Sequence, residues 1–306
     1  MRDTLIHAVL LVAGPLTLLG VIARVKALVA RRRGPPLLQP WFDVAKLLRK
    51  GAVYSRTTTF LFAAGPIVAL SCTLLAALLV PLAGVEAPVA FPGDVFVFAG
   101  LLALARFATM VSALDTGSAF EGMGASREAA YAAMAEPALF LVLMVATLPG
   151  QVPSFSTAFN ALSGTGGLLR DPVLLLAAIA FGAFLLTDLS RIPIDDPNTH
   201  LELTMIHEVM ILDHSGPDLA FLTLTYALRL WVLSAIGVHL LVPVPADAPA
   251  TALAVLLGGQ VVVAAAVGLI ESVTARLRLT RIPQFLIGAS VIAAVGVLVL
   301  HLGGRS

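Results

Sequence analysis

Long apolar runs separated by short polar breaks set the organisation of this chain. Eight runs, at 5–25, 59–83, 94–114, 130–149, 172–190, 218–242, 251–271 and 284–302, each approach the roughly 20 residues a helix needs to cross a bilayer core. The strict alternation of a lipid-facing barrel strand is absent. The pattern therefore predicts an all-α integral membrane protein of about eight transmembrane helices. No linker or internal repeat divides it, so residues 1–306 read as a single polytopic membrane domain. The first run is longer than a signal-peptide core and lacks a convincing small-x-small cleavage site, which predicts a retained span.

Composition agrees with the pattern. The 306 residues are 59% hydrophobic and 12% charged, with a mean hydropathy of +0.98, far more apolar side chain than a soluble domain of this length buries. The natural surroundings are a lipid bilayer, and no nucleic-acid partner is expected. A single cysteine, Cys72, lies inside an apolar run. Neither a disulfide framework nor a cysteine-ligated cluster can be built from this chain alone, so any redox centre belongs to a partner.

The net charge of +1 becomes informative through its distribution. Fifteen of the 19 Lys and Arg residues fall in the breaks 24–58, 106–129, 191–217 and 272–283. The positive-inside rule places that set in the cytoplasm and both termini outside. The opposite breaks are Pro-, Gly- and Ser-rich connectors. In the first basic loop, "RRRGPPLLQPWFDVAKLLRKG", Pro40 suits the first turn of a short amphipathic helix. Trp41, Val44, Ala45 and Leu48 are expected on one face of it, with Asp43, Lys46 and Lys50 opposite. Such a helix suits an anionic membrane surface, the docking of a soluble partner or the rim of a site for an amphipathic ligand.

Candidate chemistry concentrates on the same side. The break around 115–129 brings Asp115, Glu121, Arg127 and Glu128 close to Glu136, which lies about six residues into the fourth apolar run. An ionisable group inside a span is costly and is usually paired, inward-facing and functional. The structural alternative is a carboxylate simply neutralised by an arginine. Asp188 and Arg229 sit in later spans, Arg229 being a candidate counter-charge to a loop carboxylate. Glu271 ends the seventh span, where a solvated role is expected. His7 and His239 suit interhelical hydrogen bonds as well as titration.

The densest stretch is "RIPIDDPNTHLELTMIHEVMILDHSG", residues 191–216. A zinc-protease motif fails there, because Ile211 stands where the second histidine would be needed. On a helical wheel His200, Thr204 and His207 share a face, Glu208 lies near its edge, and Glu202 aligns with Asp213 opposite. That separation argues against a metal site from His200, His207 and Glu202, and no metal ligands are assigned. Apolar residues fill the remaining angles, which predicts a buried segment. Glu208 of this segment joins the proton-handling candidates, with Asp115 of the preceding cytoplasmic break and Arg229 of the sixth span. The bland alternative is a hydrogen-bond network fixing an irregular loop, with Asp195 and Asp196 as helix caps.

These motifs resemble a known family. "RRRGPPLLQPWFDVAKLLRKG" is similar to the R-x-G-P, L-Q-P and D-x-x-K-L-x-x-K signature of the subunit 1 family of respiratory complex I, the NADH–quinone oxidoreductase. "ALARFATMVSALDTGSAFEGMGASREA", "EPALF" and the 191–216 stretch look more like the membrane subunit of formate hydrogenlyase and of group 4 [NiFe]-hydrogenases. The resemblance covers essentially the whole chain. It implies proton-path roles for Glu136, Glu202 and Asp213. It also implies that Arg33, Gln39, Asp43 and Lys46 lie against a soluble electron-transfer arm, with Arg191 and Asp195 at the entry to the loop. His200 and Asn198 depart from the acidic residues of the quinone-reducing members, and no quinone-binding residue is assigned.

The resemblance implies a membrane anchor and proton-relay subunit of a complex I-related hydrogenase, multi-pass in the cytoplasmic (inner) membrane and not catalytic alone. It implies no cofactor in this chain. The [NiFe] and iron–sulfur centres would sit in hydrogenase-type large and small subunits, beside antiporter-like membrane partners. A quinone-binding membrane subunit of NADH–quinone oxidoreductase and a free-standing ion transporter are the rival readings.

Overall fold

The computed structural model describes residues 2–82, 87–164, 172–195, 205–245 and 248–302, and its helices follow the apolar runs. In chain order they are α1 (Arg2–Val29), α2 (Gln39–Leu48), α3 (Phe60–Leu79), α4 (Asp94–Asp115), α5 (Ala119–Thr147), α6 (Phe155–Gly164), α7 (Pro172–Asp188), α8 (His207–Met210), α9 (Gly216–Leu241), α10 (Pro249–Val273) and α11 (Ile282–Leu302). Among the described residues seven are long and apolar enough to cross a membrane, namely α1, α3, α4, α5, α9, α10 and α11. The fifth expected span is α7, which is apolar but has only 17 residues. Every backbone group in a lipid-facing segment must be satisfied internally, and a helical bundle does this.

Up-and-down connection brings the C-terminal ends of α1, α4, α7 and α10 to one end of the bundle, with the N-terminal ends of α3, α5, α9 and α11. Specific contacts tie this loop end together. Asp115, closing α4, accepts hydrogen bonds from Thr59 N (2.6 Å), Thr59 Oγ1 (2.8 Å) and Phe62 N (3.2 Å), and so caps α3. Val53 N donates to Ser215 Oγ at 3.1 Å. Gly216 follows with φ +55°, and a Cβ there would lie 2.6 Å from the Gly51 carbonyl oxygen. The opposite end is closed by buried Asp94, which accepts from Ser154 Oγ (2.7 Å) and Phe155 N (2.9 Å). At the centre runs α9, buried almost without interruption from Ala227 to Leu240, as a helix apolar on every face should be.

Four expectations change. The fourth helix starts at Ala119, not near 130, and only three residues separate it from α4. Glu121, Arg127 and Glu128 made that stretch look like a solvated loop, yet Glu121 and Glu128 are buried and Arg127 donates to the Met205 carbonyl at 2.9 Å. The Pro/Gly-rich segment after 149 is more than a connector, because α6 buries Phe155, Phe159 and Leu162. The stretch around 200–213 does not continue one wheel: Met205 and Ile206 are non-helical and α8 has four residues. Last, α2 packs Val44, Trp41 and Leu47 against Leu16, Ala220 and Ala227, while Ala45 and Leu48 are exposed. The packed face is thus rotated from the expected one, and Trp41 Nε1 donates to Thr17 Oγ1 of α1 at 3.2 Å.

Candidate functional site

The short α7 determines where the site forms. It ends at Asp188, and the chain then turns inward, so that Ile194, Asp195, Ile206 and Met210 are buried. A carboxylate at a helix C-terminus adds to the negative end of the helix dipole, so it needs cations. Two supply them. Arg229 of α9 donates through Nε to Asp188 Oδ2 (3.1 Å) and through Nη2 to Oδ1 (2.6 Å), a bidentate pairing. Arg106 of α4 donates through Nη2 to the same Oδ1.

Arg106 then links Asp188 to α5. Its Nη1 donates to Glu136 Oε1 at 2.8 Å, and its Nε lies 3.2 Å from Glu128 Oε1 without a well-aligned hydrogen bond. The Arg106 and Asp188 side chains are almost wholly buried, whereas the Glu136 side chain is 36% exposed. Three carboxylates therefore face two guanidiniums. Arginine stays charged in proteins, so full ionisation would leave this group with one net negative charge, and one added proton removes it.

A second group lies nearer the loop end. Glu271 of α10, buried, contacts Lys26 Nζ at 2.8 Å through Oε2 and accepts from Arg191 Nη1 at 2.9 Å through Oε1. The Arg191 guanidinium also lies 5.1 Å from the centre of the Tyr226 ring. Burial works against the Arg191 charge, but Tyr226 and Glu271 more than offset it and its pKa is raised. Asp195 accepts from Ile206 N (3.0 Å) and His207 N (3.1 Å) and lies 3.5 Å from Arg276.

Cavities that share lining residues lie between the two groups. One of about 460 Å³ is lined by Lys26, Arg191, Asp195, His207, Glu208 and Tyr226, among others. His207 and Tyr226 also line a small cavity of about 30 Å³ against Arg106, Glu128, Asp188 and Arg229. Arg106 and Asp188 in turn border a third, of about 60 Å³, reaching Glu136. A polar cavity needs about 10–15 Å³ to hold a water, so each small cavity has room for one or more. The His207 ring lies 5.9 Å from that of Tyr226. Burial first, then the charge of Arg229, pushes its pKa down to about 4, so it is neutral at pH 7.

The expected site residues separate into groups. Glu136 and Arg229 come together through Arg106 and Asp188, and the partner of Arg229 is Asp188, not a loop carboxylate. Glu208 lines the large cavity. Asp115 is engaged in capping α3, apart from these. Asp213 is exposed, and its N–H donates to Glu121 Oε1 at 3.3 Å. Glu202 and His200 lie outside the described residues. Arg33, Asp43 and Lys46 are exposed and Gln39 half-buried, with Gln39 Nε2 donating to Asp43 Oδ1 at 2.8 Å. Arg191 and Asp195, expected at the entry to the loop, are both engaged internally. Glu271 is ion-paired and buried, contrary to a solvated helix end.

Sequence reasoning undervalued Asp188 and left Glu128 in a loop. The available signal was charge balance: Arg106 and Arg229 are basic residues inside apolar runs, and each requires a buried acid.

A polytopic helical membrane protein with a buried network of acids and arginines is the class these features define. Residues 3–302 match the family described as NADH dehydrogenase, and the chain belongs to that family, of the complex I subunit 1 type. It is 30% identical over 287 residues to formate hydrogenlyase subunit 4 of Escherichia coli (strain K12), covering 92% of both chains. It is 33% identical over 224 residues to hydrogenase-4 component C of the same organism, covering 73% of this chain and 70% of that protein. A subunit of the membrane-bound sulfane sulfur reductase, an archaeal respiratory membrane complex, has the same fold. The TM-score is 0.84 at 23% identity, over 97% of this chain and 99% of that one.

Proposed function

We propose that this chain is a membrane subunit of a complex I-related hydrogenase or reductase complex, of the formate hydrogenlyase type, anchoring a soluble redox arm and relaying protons for it. The similarity to two hydrogenase components along most of the chain supports the setting. One observation carries the relay: Glu128, Glu136 and Asp188 share Arg106 and Arg229 beside cavities that lead toward His207 and Glu208. Asp188 is held by both guanidiniums, and the one proton that offsets the surplus charge is shared within this group of acids. Movement of α8 and of the turn at 189–195, at the same loop end as α2, on which we place the docked arm, would change how it is shared.

The test uses the intact complex in inverted membrane vesicles. Glu128→Gln and Glu136→Gln are expected to abolish redox-driven proton uptake while electron transfer to an artificial acceptor continues. Full uptake in both variants, with normal assembly, would remove the relay from the account.

One feature favours a second reading. The 460 Å³ cavity, with Lys26, Arg191 and Tyr226 on its wall, is of the size that takes a ring-shaped headgroup, as a quinone-binding protein would need. Displacement of a bound quinone by a quinone-site inhibitor, with loss on Tyr226→Phe, would favour it.

A further inference from the structure

The bundle leaves a gap between two helices that follow each other in the chain. α10 packs mainly on α1 and α9, whereas α11 packs on α5 and α7. Between them lies a cavity of about 590 Å³, floored by Phe181, Gly182 and Gly237 and walled by Ile270, Phe285 and Gly288. Two of its glycines are not there for close packing: a Cβ on Gly182 or Gly288 would meet nothing within 4 Å. The space is a slot that an apolar occupant must fill in a membrane.

Its extent and one end identify the occupant. On α11 the lining runs from Gln284 to Ile292, about 12 Å at 1.5 Å per residue. That matches one leaflet of a hydrocarbon core of about 30 Å and falls well short of the length over which a transmembrane helix packs. The segment 274–281 joins α10 to α11 at the loop end of the slot. Arg276 of that loop is held by Asp195, and Leu277 N donates to the Pro193 carbonyl at 2.9 Å. Arg278 and Arg281 of the same loop are exposed, and Arg281 comes three residues before Gln284 of the lining. Arg281 directly precedes α11, whose first backbone N–H groups add positive potential.

We propose that the slot between α10 and α11 seats an acyl chain of an anionic phospholipid, with its phosphate held by Arg278 and Arg281. An apolar slot one leaflet deep, with two arginines at its headgroup end, fits that amphiphile in both length and charge. The site is separate from the buried acids and does not depend on the relay.

The experiment uses the intact complex in nanodiscs carrying phosphatidylglycerol or phosphatidylcholine with a photoreactive acyl chain, and maps cross-links by mass spectrometry. Phosphatidylglycerol is expected to label residues 178–186 and 284–292 several-fold more than phosphatidylcholine. The double variant Arg278→Gln/Arg281→Gln should remove that preference, and Gly288→Trp should fill the slot and bring labelling there to background. Equal labelling by the two lipids would make this ordinary surrounding lipid and overturn the proposal. So would exclusion of both probes with a partner subunit cross-linked to α11 instead.

Discussion

Arg229 holds Asp188 by two hydrogen bonds, of 3.1 Å and 2.6 Å, from the middle of one buried helix to the last residue of another. Arg106 contacts the same carboxylate from a third helix, so Asp188 is the keystone of the charged core. Glu136, by contrast, is half-exposed and contacts only one of the two guanidiniums. The two acids should therefore respond differently to the same chemical change.

Asp188→Asn leaves two buried guanidiniums without their shared counter-charge, and breaking a buried pair in this way costs about 3–5 kcal/mol. Glu136→Gln removes the surplus charge and retains a hydrogen-bond acceptor. Thermal unfolding of the detergent-solubilised complex should show a large loss of stability for Asp188→Asn and little change for Glu136→Gln. Equal losses would mean that both acids serve structure alone.

Glu271 is the shared partner of Lys26 and Arg191, and it ties α10 to α1 and to the 189–195 loop. Glu271→Gln should destabilise the loop end by a few kcal/mol, in the range for a broken buried pair. Adding Lys26→Met should recover part of that loss by removing one stranded cation. A double-mutant cycle on unfolding midpoints measures the recovery, and strict additivity would deny the coupling.

His214 stacks on Phe62 with ring centres 4.0 Å apart. Ser112 Oγ donates to the Phe62 carbonyl at 2.8 Å, so it accepts from His214 Nε2 at 3.0 Å, while Nδ1 is buried without a hydrogen-bond partner. Burial pushes the pKa down to about 4. The folded value lies below the unfolded value of about 6.5, so the unfolded chain binds more protons between these limits. The stability this group contributes is complete above about pH 6.5 and is lost as pH falls toward 4. Unfolding midpoints measured from pH 7 to pH 5 should fall less steeply in His214→Phe than in the unsubstituted protein.

Most of the fold is legible in the apolar runs, because the bilayer length sets a period that few other structures need. The ends of α9, α10 and α11 fall within two residues of the expectation, and α1 is longer by three residues at its start and four at its end. The early start of α5 was hidden by Glu121 and Glu128, charges that look solvated until their neighbours in space are known. Glu136 and Arg229 were visible because an ionisable residue in an apolar run has no inexpensive place to go. Asp188 and Glu271 were undervalued for the complementary reason. Acids at the ends of spans usually reach water, and here the inward turn after the short α7, and the meeting of α10 with α1, bury them. That is a tertiary fact, absent from any local window.

In the proposed relay, three acids on two arginines share one exchangeable proton. Redox-triggered infrared difference spectroscopy of the intact complex tests it directly, through a carboxylic-acid carbonyl band that shifts in heavy water. The band should be present in the unsubstituted protein and absent from the Glu128→Gln/Glu136→Gln double variant, and it should survive Glu208→Gln. Persistence of the same band in the double variant would contradict the account.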